Sequence, residues 1–310
     1  MDLTIHNNSK DNKNGHSLLT SIIHKITGRE PVKDVDLVLS SGGARGLAHI
    51  GAILQLEEEG FRIRSVAGTS MGALVAGFYA AGKLDAFRLW MQGVDRKRIM
   101  ALSDFSLGKD HIVKGERIMR ALQEVISDCN IEDLPIPYRA IATDLKTGRE
   151  EVFASGSLFH AIRASISIPT FFQPLEQEGK LLVDGGIINP FPLNRVVRTK
   201  GHLLVGVNVS GQDFVGLAEM RRLLQQKEMK QSLPKSLWYK FVGTQLEQNF
   251  YTTLQRMSSI QINQNAHLMA QLVRPDIFVD LPMARYGGFD YDKSERFIEI
   301  GRKKMAAAIR

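Results

Sequence analysis

A serine between two glycines is the feature of this sequence with the clearest chemical meaning. The segment Gly68 to Gly72 reads Gly-Thr-Ser-Met-Gly, follows an apolar run that ends at Ala67, and precedes a helix of small residues. A turn of this kind needs both glycines because strand and helix approach closely there. It holds the Ser70 hydroxyl at a helix N-terminus, where the helix dipole favours negative charge. Ser70 is therefore a candidate nucleophile, although the pentapeptide alone is a weak signal.

A second glycine-rich segment, Ser41 to Gly46, follows the first predicted strand and reads Ser-Gly-Gly-Ala-Arg-Gly. Successive main-chain N–H groups ahead of a helix bind anions. In acyl transfer that anion is the oxygen of the tetrahedral intermediate. Arg45 adds a cation that can meet a phosphate. A dinucleotide-binding turn fits poorly because that fingerprint needs glycine at position 41, and a purely structural turn remains an alternative.

Asp184 is the candidate general base. The segment Val183-Asp184-Gly185-Gly186 places its carboxylate at the carboxyl end of a predicted strand. There it faces the same crevice as Ser70 and can accept the serine proton. Alone, Asp-Gly-Gly is more often an ordinary turn. The hydroxyl-bearing segment Arg163 to Pro169 could line the pocket but is expected to serve packing first and function second.

None of the histidines is predicted to complete a catalytic triad. His49 lies in the first predicted helix, whereas His202 and His267 follow Asp184 in the chain but lie outside glycine-rich turns at strand ends. We expect all three to be structural or exposed, which leaves a dyad of Ser70 and Asp184. The spacing of cysteine and histidine indicates no metal site, and no cofactor is predicted.

Alternating strands and helices are predicted to position these residues. From Val35 onward, apolar strands alternate with helices, a pattern typical of an α/β fold with a mostly parallel sheet and helices on both faces. Ligands bind such sheets at the carboxyl ends of the strands, where both glycine-rich turns fall. The strands are predicted at residues 35–39, 63–67, 138–143, 151–154, 180–183 and 203–209, and the helices at 47–59, 73–81 and 158–164.

The chain is predicted to form one domain, residues 34–310, after a flexible polar tail at residues 1–33. Within the domain, residues 211–275 form a helical excursion whose apolar residues have the spacing of a core-facing helix. Its part from Arg221 to Lys240 is rich in basic residues. This part is either a solvated stretch or a lid or membrane-contacting segment. The apolar stripe consists of Trp238, Val242, Leu246, Phe250, Leu254 and Met257.

Composition and charge limit which partners and which cellular location we expect for the protein. No apolar run approaches the ~18 residues of a membrane span, the N-terminus has no signal-peptide pattern, and the single Cys129 excludes an internal disulfide. We therefore expect a cytoplasmic protein with peripheral contact at the inner membrane surface. The net charge of +7 favours an anionic lipid surface over nucleic acid, because no nucleic-acid motif is present. A mildly basic solvated surface is the alternative.

Four blocks, taken in order, resemble the patatin-like phospholipases, especially their small bacterial members. The resemblance covers residues 35–210, and a weaker one follows at Pro275 to Val279 and in the last helix from Ser294. Ser41 departs from the glycine that many relatives have. The blocks are Ser41 to Gly46, Gly68 to Gly72, Ala164 to Pro169 and Asp184 to Gly186.

The resemblance implies a three-layer α/β sandwich that hydrolyses acyl esters of lipids or lysophospholipids without a metal. It assigns Ser70 as nucleophile, Asp184 as base and the amides of Gly43 and Ala44, assisted by Gly42, as the oxyanion hole. A lipid transacylase and a non-catalytic regulator that binds a lipid or nucleotide remain the alternatives. The oligomeric state, the acyl-chain length and the head group do not follow from the sequence.

Overall fold

A computed structural model of the chain describes residues 33–94, 96–102, 114–169, 171–211, 250–282, 286 and 290–310. The predicted tail, apart from Lys33, lies outside these residues. So does the basic segment from Arg221 to Lys240, together with Trp238, Val242 and Leu246. The predicted flexibility of the tail and the predicted lid or membrane contact of the basic segment therefore stay predictions.

Strands and helices alternate along the chain, as the sequence predicts. The strands are β1 (Lys33–Leu39), β2 (Phe61–Thr69), β3 (Tyr138–Asp144), β4 (Arg149–Phe153), β5 (Leu175–Gln177), β6 (Lys180–Asp184), β7 (Leu203–Gly211) and β8 (Ile277–Pro282). The helices are α1 (Ala48–Glu58), α2 (Met71–Ala80), α3 (Leu84–Gln92), α4 (Arg96–Leu102), α5 (Glu116–Gln123), α6 (Leu158–Ser165), α7 (Phe250–Val273) and α8 (Ser294–Ile309). Short 3₁₀ helices lie at Gly43–Leu47, Ile131–Asp133, Gly185–Ile187 and Tyr291–Lys293.

The strands form one mixed, mostly parallel sheet in the order β5-β6-β3-β2-β1-β7-β8, and β4 also pairs with β3. The pairs from β3 through β2, β1 and β7 to β8 are parallel. Strands β4 and β6 pair antiparallel with β3, and β5 pairs antiparallel with β6. The antiparallel edge brings Asp184, at the end of β6, opposite Ala142 in β3.

Helices cover both faces of the sheet. The side chains of Leu37 and Leu39 in β1 belong to a large apolar cluster that includes residues of α1, α2, α3, α6 and α8. Val38 between them faces the other side, where a second cluster contains Phe191 and Ala266 of α7. Because successive side chains of a strand point to opposite faces, this alternation places β1 between two apolar layers. The predicted three-layer α/β sandwich is confirmed.

Helix α7 differs from the predicted core-facing stripe. Met257, a member of that stripe, is 62% exposed, and the side chains of Phe250 and Leu254 lie outside the described part. The residues of α7 that pack on the core are smaller or later in the chain: Ala266, Met269, Ala270 and Val273. The prediction was wrong for Met257 because the three-to-four spacing does not tell which side of a helix meets the sheet. Among the described residues, no helix is both long and apolar enough to cross a membrane.

Candidate active site

The turn between β2 and α2 presents Ser70 in an uncommon backbone conformation. Its φ is +58°, a backbone conformation that residues other than glycine rarely adopt. The flanking glycines permit this because a Cβ at Gly68 would lie 2.3 Å from the carbonyl of Gly72, and one at Gly72 would lie 2.3 Å from the carbonyl oxygen of Leu39. The strand, the turn and the helix are thus in direct backbone contact, as the sequence reasoning requires.

Ser70 and Asp184 lie together although 114 residues separate them. The Ser70 hydroxyl donates a hydrogen bond to Oδ2 of Asp184. The other carboxylate oxygen, Oδ1, accepts the main-chain N–H of Gly186 at 2.7 Å. Ser70 is 2% exposed and Asp184 is 5% exposed, so this contact is shielded from bulk water.

Burial makes Asp184 a stronger base than an exposed aspartate. Desolvation raises the pKa of its carboxyl to about 6, while the hydrogen bonds from Ser70 and from the Gly186 amide act in the opposite direction. Desolvation dominates because a buried carboxylate loses its hydration, and no cation among the described residues forms a salt bridge with it. Near neutral pH the carboxylate is still mostly ionised and can accept a proton.

The segment Ala164 to Pro169 contacts both residues, a role that the sequence reasoning placed second to packing. The hydroxyl of Ser165 accepts the main-chain N–H of Ser70 at 2.8 Å and donates to the carbonyl of Ile141 at 2.6 Å. The carbonyl of Ser167 accepts the main-chain N–H of Asp184 at 2.9 Å. The segment therefore holds the backbones of Ser70 and Asp184 in one frame. The cluster of hydroxyls before a proline was the available signal.

The glycine-rich segment after β1 packs against the nucleophile turn. A Cβ at Gly46 would lie 2.4 Å from Cγ of Met71, the residue after Ser70. Gly43 has a φ of +56° and begins the 3₁₀ helix Gly43–Leu47. The N–H groups of Gly43 and Ala44 fall in the first turn of that helix, where they have no intrahelical acceptor. These are the two amides that the sequence predicts as oxyanion donors.

Arg45 lies in the same 3₁₀ helix and is half-buried. Its Nε donates to the carbonyl of Gly42 at 3.0 Å, which holds the guanidinium against the loop. Burial lowers the pKa of Arg45, and no carboxylate in the described ranges forms a salt bridge with it. A partly desolvated guanidinium without a carboxylate neighbour is suited to bind an anionic ligand.

Ser41, the departure from the family pattern, lies against the Asp-Gly-Gly turn. A Cβ at Gly186 would come 3.0 Å from Oγ of Ser41 and 2.9 Å from Oδ1 of Asp184. At the neighbouring Gly185, a Cβ would lie 2.3 Å from the carbonyl oxygen of Ile141. The carbonyl of Ser41 accepts the hydroxyl of Ser210 at 3.1 Å. Both glycines of the Asp-Gly-Gly turn are thus required by close contacts.

The histidines have structural roles in the described part of the chain. His49 is fully buried, its Nε2 lies 2.8 Å from the carbonyl oxygen of Ser40, and burial lowers its pKa to about 4. His202 contacts Asp36, toward the amino ends of the strands, and His267 lies 3.5 Å from Asp280. No described histidine forms a hydrogen bond with Ser70 or Asp184. Within the same residues, no cluster of three or more histidine, cysteine or acidic side chains is arranged to hold a metal.

Tyr291 is a neighbour of the site that sequence reasoning missed. It belongs to the 3₁₀ helix Tyr291–Lys293, ahead of α8. Burial and the nearby carboxylate of Asp184 raise the pKa of its hydroxyl to about 12. The phenol therefore stays protonated near the dyad. Nothing around Tyr291 in the sequence marks it, because its place depends on how the last helix packs.

The family follows from comparison of the whole sequence with known proteins. A family model described as patatin-like phospholipase matches residues 37–197, just over half of the chain, and the chain belongs to this family. The match includes Ser70, Asp184 and the glycine-rich segment after β1.

The similar proteins include members of the NTE family. An uncharacterized NTE family protein of Mycobacterium bovis is 44% identical over 179 residues, which cover 58% of this chain and 50% of that protein. Neuropathy target esterase sws of Drosophila melanogaster is 29% identical over 211 residues, covering 66% of this chain and 14% of the fly protein. The chain thus spans about half the length, or less, of these curated relatives. The crystal structure of VipD from Legionella pneumophila aligns with a TM-score of 0.43 and 16% identity, covering 89% of this chain and 66% of that one.

Proposed function

We propose that this protein is a serine hydrolase that cleaves acyl ester bonds of lipids, of the phospholipase A or lysophospholipase type. The observation that carries the proposal is the buried hydrogen bond from the Ser70 hydroxyl to the Asp184 carboxylate. A serine in a strained turn and a base with a raised pKa are the two groups that acyl transfer needs. Membership of the patatin-like phospholipase family supports lipid esters as the substrate class.

The proposed reaction proceeds through an acyl-enzyme. The Ser70 oxygen attacks the ester carbonyl while its proton passes to Asp184. The amides of Gly43 and Ala44, with Gly42 assisting, donate to the oxyanion; each such donor is worth about 3 kcal/mol of barrier in other hydrolases. The proton on Asp184 then passes to the leaving alcohol. Water, deprotonated by Asp184, hydrolyses the acyl-enzyme and regenerates Ser70.

Arg45 is proposed to bind the phosphate of the head group. Its guanidinium is held beside the oxyanion loop by the hydrogen bond to Gly42, so a phosphate linked to the scissile ester would lie within a short distance of it. A fork of N–H donors suits phosphate oxygens better than a single ammonium does. This role favours phospholipids or lysophospholipids over neutral esters.

We also propose that residues 34–310 act as one catalytic domain at the cytoplasmic face of a membrane. One sheet runs from β1 to β8, and α8 contributes Phe297 and Met305 to the same apolar cluster as α1. A separate domain after residue 210 would need a core of its own. The net charge of +7 supports contact with an anionic surface.

The test is labelling of the purified protein with a fluorophosphonate probe, combined with turnover of a lysophospholipid and of a p-nitrophenyl ester. We expect the probe to modify Ser70, and Ser70→Ala to lose both labelling and about 10⁴-fold or more in turnover. Ser65→Ala is the matched control, since Ser65 is another buried serine whose hydroxyl donates to an aspartate. Retained turnover in Ser70→Ala would overturn the proposal.

A further inference from the structure

Helix α7 presents large apolar side chains to solvent, on the side away from the sheet. Met257 is 62% exposed, Ile260 64%, Leu268 60% and Leu272 79%. Successive residues of a helix are about 100° apart, so these four side chains share an arc of about 120°. We call them the outward stripe. A helix in a globular protein normally turns polar residues to water, so the outward stripe indicates an unfilled contact.

The other side of α7 is already occupied. Ala266 is buried in the second apolar cluster, where Met269, Ala270 and Val273 pack beside it. The helix is therefore apolar on two opposite sides, and only one of them meets the sheet. Packing on the sheet does not account for the outward stripe.

Helix α7 is also joined to the segment that carries the candidate base. The Gln261 side chain donates to the carbonyl of Ile187 at 3.0 Å, and the Asn265 side chain donates to the carbonyl of Ile188 at 3.4 Å. These carbonyls lie three and four residues after Asp184. Ile188 is itself 36% exposed. The outward stripe thus lies on an element that contacts the rim of the proposed active site.

Charge favours an anionic bilayer over a second copy of the chain as the partner of the outward stripe. The 24 residues of α7 contain no aspartate or glutamate, and the whole chain carries +7. A surface without acids on a cationic protein is attracted to an anionic bilayer and repelled by a second copy of itself.

We propose that the outward stripe of α7 is a docking surface for an anionic lipid bilayer. The four apolar side chains enter the boundary between head groups and acyl chains, and the helix lies in the plane of the membrane. Docking there brings the rim around Asp184 to the lipid surface from which a substrate would enter. This inference builds on the proposed lipid substrate, but it is tested without turnover.

The experiment is co-sedimentation of the full chain with vesicles, in a Ser70→Ala background that leaves the lipids intact. Vesicles of phosphatidylcholine alone are compared with vesicles that also contain phosphatidylglycerol. We expect preferential binding to the anionic vesicles. In each of Leu268→Gln and Leu272→Gln we expect the partition coefficient to fall about tenfold, because the variant loses the free energy of transferring a leucine side chain from water into the bilayer. Leu89→Gln is the matched control, because Leu89 is a leucine of helix α3 with 58% exposure.

Three results would overturn the inference. One is equal binding of the α7 variants and their parent, and another is an equal loss in Leu89→Gln. The third is a dimer of the parent in sedimentation velocity that Leu268→Gln converts to a monomer, which would make a second copy the occupant. Failure of the proposed chemistry would instead show as turnover by Ser70→Ala, which this binding measurement does not depend on.

Discussion

The sheet contains two buried aspartates that each accept a hydrogen bond from a serine hydroxyl. Asp184 does so from Ser70 at the carboxyl ends of the strands, and Asp36 does so from Ser65 toward the amino ends, at 2.9 Å. Both carboxylates are almost inaccessible to solvent. Residue type, partner and burial are therefore the same at the two places, and the differences lie in what else surrounds each pair.

Asp36 is surrounded by groups that stabilise its negative charge. It accepts the Thr199 amide at 3.1 Å, lies 3.0 Å from Nδ1 of His202, and is 3.3 Å from Nε of Arg198. Among the described residues, in contrast, the Asp184 carboxylate has hydrogen bonds only from the Ser70 hydroxyl and the Gly186 amide. A carboxylate that is desolvated with no cation beside it accepts a proton more readily than one in water.

The serines differ in their backbone as well. Ser65 lies within β2, where the carbonyl oxygen of Val197 lies 2.6 Å from its hydroxyl and shares the single proton with Asp36. Ser70 lies in a turn with a φ of +58°, flanked by glycines that allow the closest backbone contacts. A Ser–Asp hydrogen bond by itself therefore does not define a reactive site. The proposed site differs from the other pair in its carboxylate, which no described cation neutralises, and in a serine held outside regular structure.

Replacing each of the two aspartates by asparagine is expected to give the largest difference between the two sites. In Asp184→Asn we expect turnover to fall by about 10³-fold or more because the proton acceptor is removed. In Asp36→Asn we expect turnover per folded molecule to persist, while the free energy of unfolding falls by about 2 kcal/mol because the Thr199 amide and the Ser65 hydroxyl lose a charged acceptor. Ester hydrolysis and urea denaturation of both variants measure these effects. The reverse pattern would remove the distinction between the two sites.

The pH dependence of turnover is a sharper test of the role of Asp184. With a pKa of about 6 for Asp184, activity should fall about tenfold per pH unit below pH 6, as the base becomes protonated, and level off above it. A kcat/KM profile from pH 4.5 to 8 measures this. A profile that is flat through pH 6 would show that Asp184 is not the base.

The same pKa predicts a stability effect of opposite sign to that of a salt-bridged aspartate. The folded pKa lies above the ordinary 3.8, so the favourable contribution is present below pH 4 and is lost as pH rises through 6. Between pH 4.5 and pH 7 the wild-type protein should therefore lose about 2 kcal/mol relative to Asp184→Asn. Urea denaturation of both proteins at pH 4.5 and pH 7 checks the difference, and an unchanged difference would contradict the raised pKa.

The smallest effects are expected for Ser165, which supports Ser70, and for Ser65, which is the serine of the Asp36 pair. Ser165→Ala removes the acceptor of the Ser70 amide and the donor to Ile141, which should cost about 2 kcal/mol of stability. It should also lower kcat about tenfold, because the nucleophile turn loses its anchor. Ser65→Ala should cost about 1 kcal/mol and leave kcat unchanged. Equal kcat in both variants would mean that Ser165 only packs.

Local patterns in the sequence predicted the parts of this molecule that local chemistry determines. The strand-turn-helix at Ser70 follows from its glycines, and strands β1, β2, β6 and β7 were each predicted within two residues of their observed ends. Residues beyond the predicted ends belong to strands through pairing with a neighbouring strand, as Lys33 of β1 does with Phe61 of β2. The local sequence around neither residue predicts this pairing.

The unpredicted parts arise from long-range packing. The short strand β5 and the helices α3, α4 and α5 were not predicted, and β4 and β6 run antiparallel to β3 although the sequence indicated only a mostly parallel sheet. Within the site, the contacts of Ser165 with Ser70 and of Tyr291 with the surroundings of Asp184 join residues about 100 positions apart. Such contacts follow from the folded arrangement of several elements, which no single segment encodes.

The φ of +58° at Ser70 has a consequence for how this protein can change over generations. A side chain in that region costs on the order of 1 kcal/mol compared with glycine, so replacing the hydroxyl-bearing residue by glycine would relax the fold. Selection for stability alone would therefore tend to erase the serine. Its presence in this conformation argues that the hydroxyl is maintained for a task other than holding the chain together.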